Sequence, residues 1–283
     1  MLHETIKINI DYEKSGLEHN DYEATITTYI LDSYPQVQGE RKRPFVIICP
    51  GGGYDHHSPR EGEAIAIKMN NFGFNCCVLR YSLTPNAFPC QVYEAAYTIN
   101  YVKQHAKEWC VDTNKIIIAG FSAGSHVSAS LGTMWNEDIL KDFAKDVLHV
   151  DYTTLRPDGM LLGYPVLTSG EYAHRGSFKS LLGKDYDKYL EYCSLENRVD
   201  EQTPSAFIWH TFEDGSVPVE NSLIFAGAMR KKNVPFELHI FPKGGHGLGL
   251  ATKETDVADG SRYQPECACW TDMFKNWVEL NMK

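Results

Sequence analysis

Apolar positions along the chain fall into two repeating patterns. Unbroken runs at 45–49, 76–79, 116–119, 160–162 and 206–209, each bounded by turn residues, suit strands buried on both faces of a parallel sheet, and 236–241 extends the series. Between them, Val92, Ala95, Ala96, Ile99 and Val102 recur at helical spacing, as do Trp270, Met273, Phe274, Trp277 and Val278 near the C-terminus, so both segments predict helices with one apolar stripe. Ile6, Ile8 and Ile10 alternate with Lys7 and Asn9 as on a half-exposed edge strand, and with the mixed segment 25–31 they predict an antiparallel start. Strands alternating with helices predict an α/β fold, a three-layer αβα arrangement on a mostly parallel twisted sheet. No repeat or low-complexity linker divides the chain, so 1–283 reads as one domain. The irregular interval 168–203, rich in Tyr, Gly and charge, is where a cap or lid could be inserted.

Charge narrows the partners. The 283 residues carry a formal net charge of -10, which repels phosphate backbones and anionic headgroups, and Arg41-Lys42-Arg43 lacks the interleaved aromatics of a nucleic-acid site. Neither nucleic acid nor a membrane is an expected partner, and nothing in the pattern fixes an oligomeric state. The first residues lack the basic and apolar regions of a signal peptide, which makes the cytoplasm the default expectation. The eight cysteines form no CxxC pair, and Cys267-Ala268-Cys269 has no matching ligand nearby, so reduced structural thiols are expected, with no metal and no other cofactor.

Candidate chemistry centres on Ser122. Residues 115–119 form a strand that runs into Gly120-Phe121-Ser122-Ala123-Gly124 and then into a helical stretch with Ala123, Val127 and Leu131 spaced four apart. A serine on such a strand-turn-helix needs small residues two before and two after it, and the helix start turns N–H groups towards it. By itself the pattern also fits a glycine-flanked helix cap. A serine hydroxyl needs a base, and the base a carboxylate, in the chain order Ser, acid, His. His210 and His239 lie inside strand patterns, whereas His246 sits in a glycine-rich loop beyond 236–241 and is the candidate base. Asp214, just past the run 206–211, is the candidate acid, with Glu213 as its competitor. Pro50-Gly51-Gly52-Gly53 lets a backbone approach closely; its N–H groups and that of Ala123 could hold a developing oxyanion. A phosphate loop, the rival for these glycines, would need a G-K-[ST] ending or G-x-G-x-x-G spacing that the segment lacks.

Taken together, Pro50 to Tyr54 with Glu61, Leu79-Arg80-Tyr81, Gly120 to His126 and Asp214-Gly215-Ser216-Val217-Pro218 resemble the α/β-hydrolase superfamily, in its esterase branch related to acetylxylan and feruloyl esterases, over roughly 40–283. The resemblance implies hydrolysis of short acyl esters, often acetyl groups on sugars, through an acyl-enzyme without a metal. It further implies Ser122, Asp214 and His246 as triad and Gly52, Gly53 and Ala123 as oxyanion donors. Pro50 stands where the related pattern has histidine. Tyr54, His56, His57 and Glu61 follow the glycine loop and are candidates for lining a substrate pocket, Tyr54 and Glu61 first among them. Two other readings remain at this stage: a peptidase with the same triad, and a non-catalytic binding protein on the same fold.

Overall fold

The computed structural model describes residues 1–282. The apolar runs all lie in strands of one eight-stranded sheet: β1 Thr5–Lys7, β2 Thr25–Tyr29, β3 Arg43–Cys49, β4 Asn75–Arg80, β5 Val111–Phe121, β6 Gly159–Gly163, β7 Ser205–Thr211 and β8 Phe236–Phe241, in the spatial order β1-β2-β4-β3-β5-β6-β7-β8. β1, β2 and β4 pair antiparallel, and every pair from β4 to β8 is parallel. β1 stops at Lys7, short of the alternating pattern, and Ile10 leaves the ladder to pack into the core.

The three-layer αβα arrangement follows from burial on both faces of the sheet. Phe45 and Ile47 of β3 point into one apolar cluster and Val46 and Ile48 into another, and the same alternation recurs in β5, β6 and β7. The helices of eight or more residues are α1 Glu63–Asn71, α2 Cys90–Gln104, α3 Ala123–Met134, α4 Arg175–Leu182, α5 Glu220–Lys231 and α6 Trp270–Asn281. α2, α3, α4 and α5 cover the first face, α1 and α6 the second. The interval expected to hold a cap contains α4 and shorter turns, and its Phe178, Leu181, Leu182, Cys193 and Leu195 join the first-face core. All eight cysteines are free thiols. No helix among the described residues is long and apolar enough to cross a membrane.

α6 docks through aromatic rings: Phe274 meets Phe207 of β7 edge-on at 5.7 Å between centroids, and Trp277 meets the same Phe207 ring at 6.3 Å. Phe274→Ala should therefore destabilise the protein by about 3–5 kcal/mol, since both the transfer energy and the contacts are lost. Urea unfolding checks this; a loss below about 1 kcal/mol would mean that α6 contributes little to the core.

Candidate active site

Ser122 follows β5 directly and caps α3, with φ 54° and ψ −121°. A non-glycine residue held in that region costs on the order of 1–3 kcal/mol, so surrounding contacts must enforce it. Here they come from close backbone packing. A Cβ on Gly120 would lie 2.2 Å from the Gly124 carbonyl oxygen, one on Gly124 2.0 Å from that of Cys49, and one on Gly51 2.8 Å from Ser122 Cβ. The Ser122 N–H donates to the Gly163 carbonyl at 3.0 Å, and its own carbonyl accepts from Val166 at 3.1 Å. The turn is thereby tied to β3 on one side and to the end of β6 on the other.

β7 and β8 bring two further side chains to the same carboxyl edge. His246 Nε2 lies 2.7 Å from Ser122 Oγ, and His246 Nδ1 lies 2.7 Å from Asp214 Oδ2. The carboxylate accepts at Nδ1, which places the ring proton there and leaves the Nε2 lone pair for the serine hydroxyl. The His246 ring rests edge-on against Tyr164, with centroids 5.1 Å apart. Asp214 Oδ1 accepts from the Ser216 and Val217 N–H groups at 2.9 Å each. Burial alone would raise its pKa, but hydrogen bonds from His210 and His246, the charge of His246 and the Val217 N–H outweigh it and hold the carboxyl well below the usual range. Glu213 points into solvent, which separates the two candidate acids.

His210, a strand residue by its sequence pattern, contacts the same carboxylate. Its Nε2 lies 3.2 Å from Asp214 Oδ2 and 3.1 Å from the Val217 carbonyl oxygen, and its Nδ1 2.8 Å from Ser222 Oγ. Two acceptors facing Nε2 require a proton there, so a neutral His210 donates to Asp214 while Ser222 donates to Nδ1. The available signal was its place four residues before Asp214, at the end of the same strand.

The N–H groups of Gly52, Gly53 and Ala123 meet no protein acceptor among the described residues. Gly52 and Gly53 have φ values of 125° and 63°, which suit glycine. With proline at position 50, other groups anchor this loop: Tyr81 donates to the Pro50 carbonyl at 2.6 Å, and the Gly51 N–H donates to Glu61 Oε2 at 2.7 Å. Tyr54 and Glu61 therefore depart from the expectation that they line a pocket, being only 1% and 2% exposed. Glu61 Oε1 accepts from Tyr164 at 2.8 Å, and the Tyr164 oxygen accepts from the Gly249 N–H at 3.0 Å, which links the glycine loop to the loop of His246. Arg60 adds a second tie, its Nε donating to the Gly247 carbonyl at 3.1 Å. Tyr54 Oη lies 2.8 Å from His126 Nδ1, and His126 Nε2 2.9 Å from the Cys193 carbonyl oxygen, so Tyr54 donates to one ring nitrogen and the other donates to the interval 168–203. His56 pairs with its neighbour Asp55, whereas His57 Nε2 lies 2.9 Å from the Tyr81 carbonyl oxygen. Among the described residues no cluster of His, Cys, Asp or Glu is disposed to hold a metal ion.

The profile of the BD-FAE family matches residues 31–229. Endo-1,4-beta-xylanase B of Butyrivibrio fibrisolvens is 39% identical over 218 residues, 75% of this chain but 34% of that protein. Acetylxylan esterase of Xylanibacter ruminicola is 30% identical over 214 residues, 73% of this chain and 41% of that protein. The chain thus spans less than half the length of these two curated relatives. Among solved structures, the acetyl ester-xyloside bifunctional hydrolase of Caldicellulosiruptor lactoaceticus superposes with a TM-score of 0.77 at 37% identity, covering 92% of this chain and 89% of that one. The carboxylesterase Cest-2923 of Lactobacillus plantarum WCFS1 gives 0.81 at 28% identity, covering 99% and 97%.

Burial pushes the pKa of His126 down to about 4 against an opposing effect of the Cys193 carbonyl, and burial does the same to His57. An unfolded imidazole titrates near ~6.5, so between that value and the depressed one the unfolded chain binds more protons. Stability should fall as pH drops from about 6.5 towards 4, and His126→Gln should weaken that dependence. Thermal melts across this interval provide the check; a wild-type melting temperature that is flat there would contradict neutral burial of these rings.

Proposed function

The chain belongs to the BD-FAE family, and from that premise we propose that it is a serine-dependent carboxylic ester hydrolase. The observation that carries this reading is the unbroken relay from Ser122 Oγ through His246 to Asp214, with 2.7 Å at each contact. Ser122 Oγ attacks the ester carbonyl carbon as His246 Nε2 takes its proton. The negative charge moves onto the carbonyl oxygen, where the N–H groups of Gly52, Gly53 and Ala123 receive it. One such donor is typically worth about 3 kcal/mol in the transition state. Collapse breaks the bond to the alcohol oxygen, which takes the proton back from His246 and leaves an acyl group on Ser122. Water then repeats the sequence, its proton passing through His246 to Ser122 as the acid departs. Asp214 keeps the Nδ1 proton in place and stabilises the imidazolium; His210 and the 216–217 N–H groups keep Asp214 ionised and oriented.

Short acyl groups, acetyl above all, are the proposed substrates, with the alcohol drawn from sugars. Support comes from the relatives named for acetylxylan and acetyl ester chemistry. The longer xylanase relative lends no glycosidase activity, because the match covers only 34% of it. The interval 168–203 is proposed to border the site as a cap within a single catalytic unit, since Ser177 Oγ lies 3.8 Å from a Cβ built on Gly53.

Ser122→Ala should reduce kcat/KM on p-nitrophenyl acetate by at least ~1,000-fold without changing the fold. Purified variant with undiminished turnover would remove Ser122 from the chemistry.

A further inference from the structure

His174, in the interval 168–203, has a fixed tautomer and an unused donor. Its Nδ1 accepts from the Ser177 N–H at 3.3 Å and lies 2.8 Å from Ser177 Oγ. A nitrogen that accepts a main-chain N–H carries no proton, so in neutral His174 the proton is on Nε2. That N–H has no protein partner among the described residues. The ring is half-buried, and burial first, then the like charge of His246, lowers its pKa, which keeps it a neutral donor. Asp214 and Asp55 act on it in the opposite sense, placing four ionisable groups in one electrostatic neighbourhood.

The loop after the glycines comes close to the partner of His174. The atoms nearest a Cβ built on Gly53 are Ser177 Oγ at 3.8 Å and Asp55 Oδ2 at 3.9 Å, and Asp55 engages His56 through Oδ1. Ser177, the partner of His174, and Asp55 thus both approach Gly53, one of the proposed oxyanion donors. In the reaction above, His246 returns its proton to the alcohol oxygen, so the alcohol part of the ester must lie on the His246 side, and the charge of His246 is felt at His174.

We propose that His174 is a specificity-determining residue: its Nε2–H binds a hydroxyl oxygen of the departing alcohol and selects a polyhydroxylated ring over a bare one. A free ring N–H suits a hydroxyl oxygen, an acceptor that a bare ring lacks. The inference rests on the ester hydrolase reading, and the experiment separates the two.

The test compares kcat/KM for a methyl pyranoside bearing one acetyl ester with that for cyclohexyl acetate, a ring of the same size without hydroxyls. Wild type should favour the pyranoside ester. His174→Asn keeps an acceptor able to cap α4, while its amide N–H groups end short of the position of Nε2, so it should retain the melting temperature and lower the preference by about tenfold. His174→Ala should lower the preference similarly even if it melts earlier. No wild-type preference, or a His174→Asn preference within about twofold of wild type, overturns the assignment while leaving the hydrolase reading intact. If wild type cleaves neither ester, both fall.

Discussion

A serine held at φ 54° and ψ −121° between a strand and a helix is the constraint to which the rest of the site is fitted. Three glycines make it sterically possible, and each does so by removing a side chain from a different backbone contact: Gly120 against Gly124, Gly124 against Cys49, and Gly51 against Ser122. Because those contacts join β5, α3 and the loop after β3, the serine and the free N–H groups of Gly52 and Gly53 are positioned by one packing arrangement. Turn strain is thus held by a sheet whose central strands are buried on both faces, the kind of over-determined surrounding that such a conformation needs.

The same logic extends across the carboxyl edge of the sheet. Glu61 joins the glycine loop to Tyr164, and Tyr164 joins that pair to the loop carrying His246, through contacts of 2.7, 2.8 and 3.0 Å. The proposed oxyanion donors and the proposed base are consequently cross-linked through buried groups as well as through the sheet. Asp214 receives hydrogen bonds from two main-chain N–H groups and faces two imidazoles, which leaves it little freedom to rotate or to protonate. Preorganisation of this kind means that charge can develop on the substrate without the protein having to reorganise.

Much of this was legible in the sequence because burial on both faces writes itself as unbroken apolar runs. The strand ends were less so: β5 begins at Val111 opposite Arg43, and the polar stretch 112–115 falls in a register shift before pairing resumes at Ile116, an irregularity that an apolar pattern does not record. Ser122, Asp214 and His246 could be named from turn chemistry and chain order, each following a separate strand. Tyr54 and Glu61 were harder, since their partners His126 and Tyr164 lie 72 and 103 residues away and only folding shows that the pairs are buried. His210 is a strand position both by pattern and in the fold; that its ring also meets Asp214 depends on the turn from Thr211 to Val217. Pattern reports which face a residue occupies, and partners come from the fold.

The most direct measurement of the central claim is covalent: incubation of folded protein with a fluorophosphonate, followed by intact mass and peptide mapping. The expected result is one adduct per chain, on Ser122, formed rapidly by folded wild type and at least ~1,000-fold more slowly after His246→Ala, because the hydroxyl would then lack its base. An unlabelled Ser122 in folded protein, or labelling equally fast without His246, would contradict a serine activated by this relay.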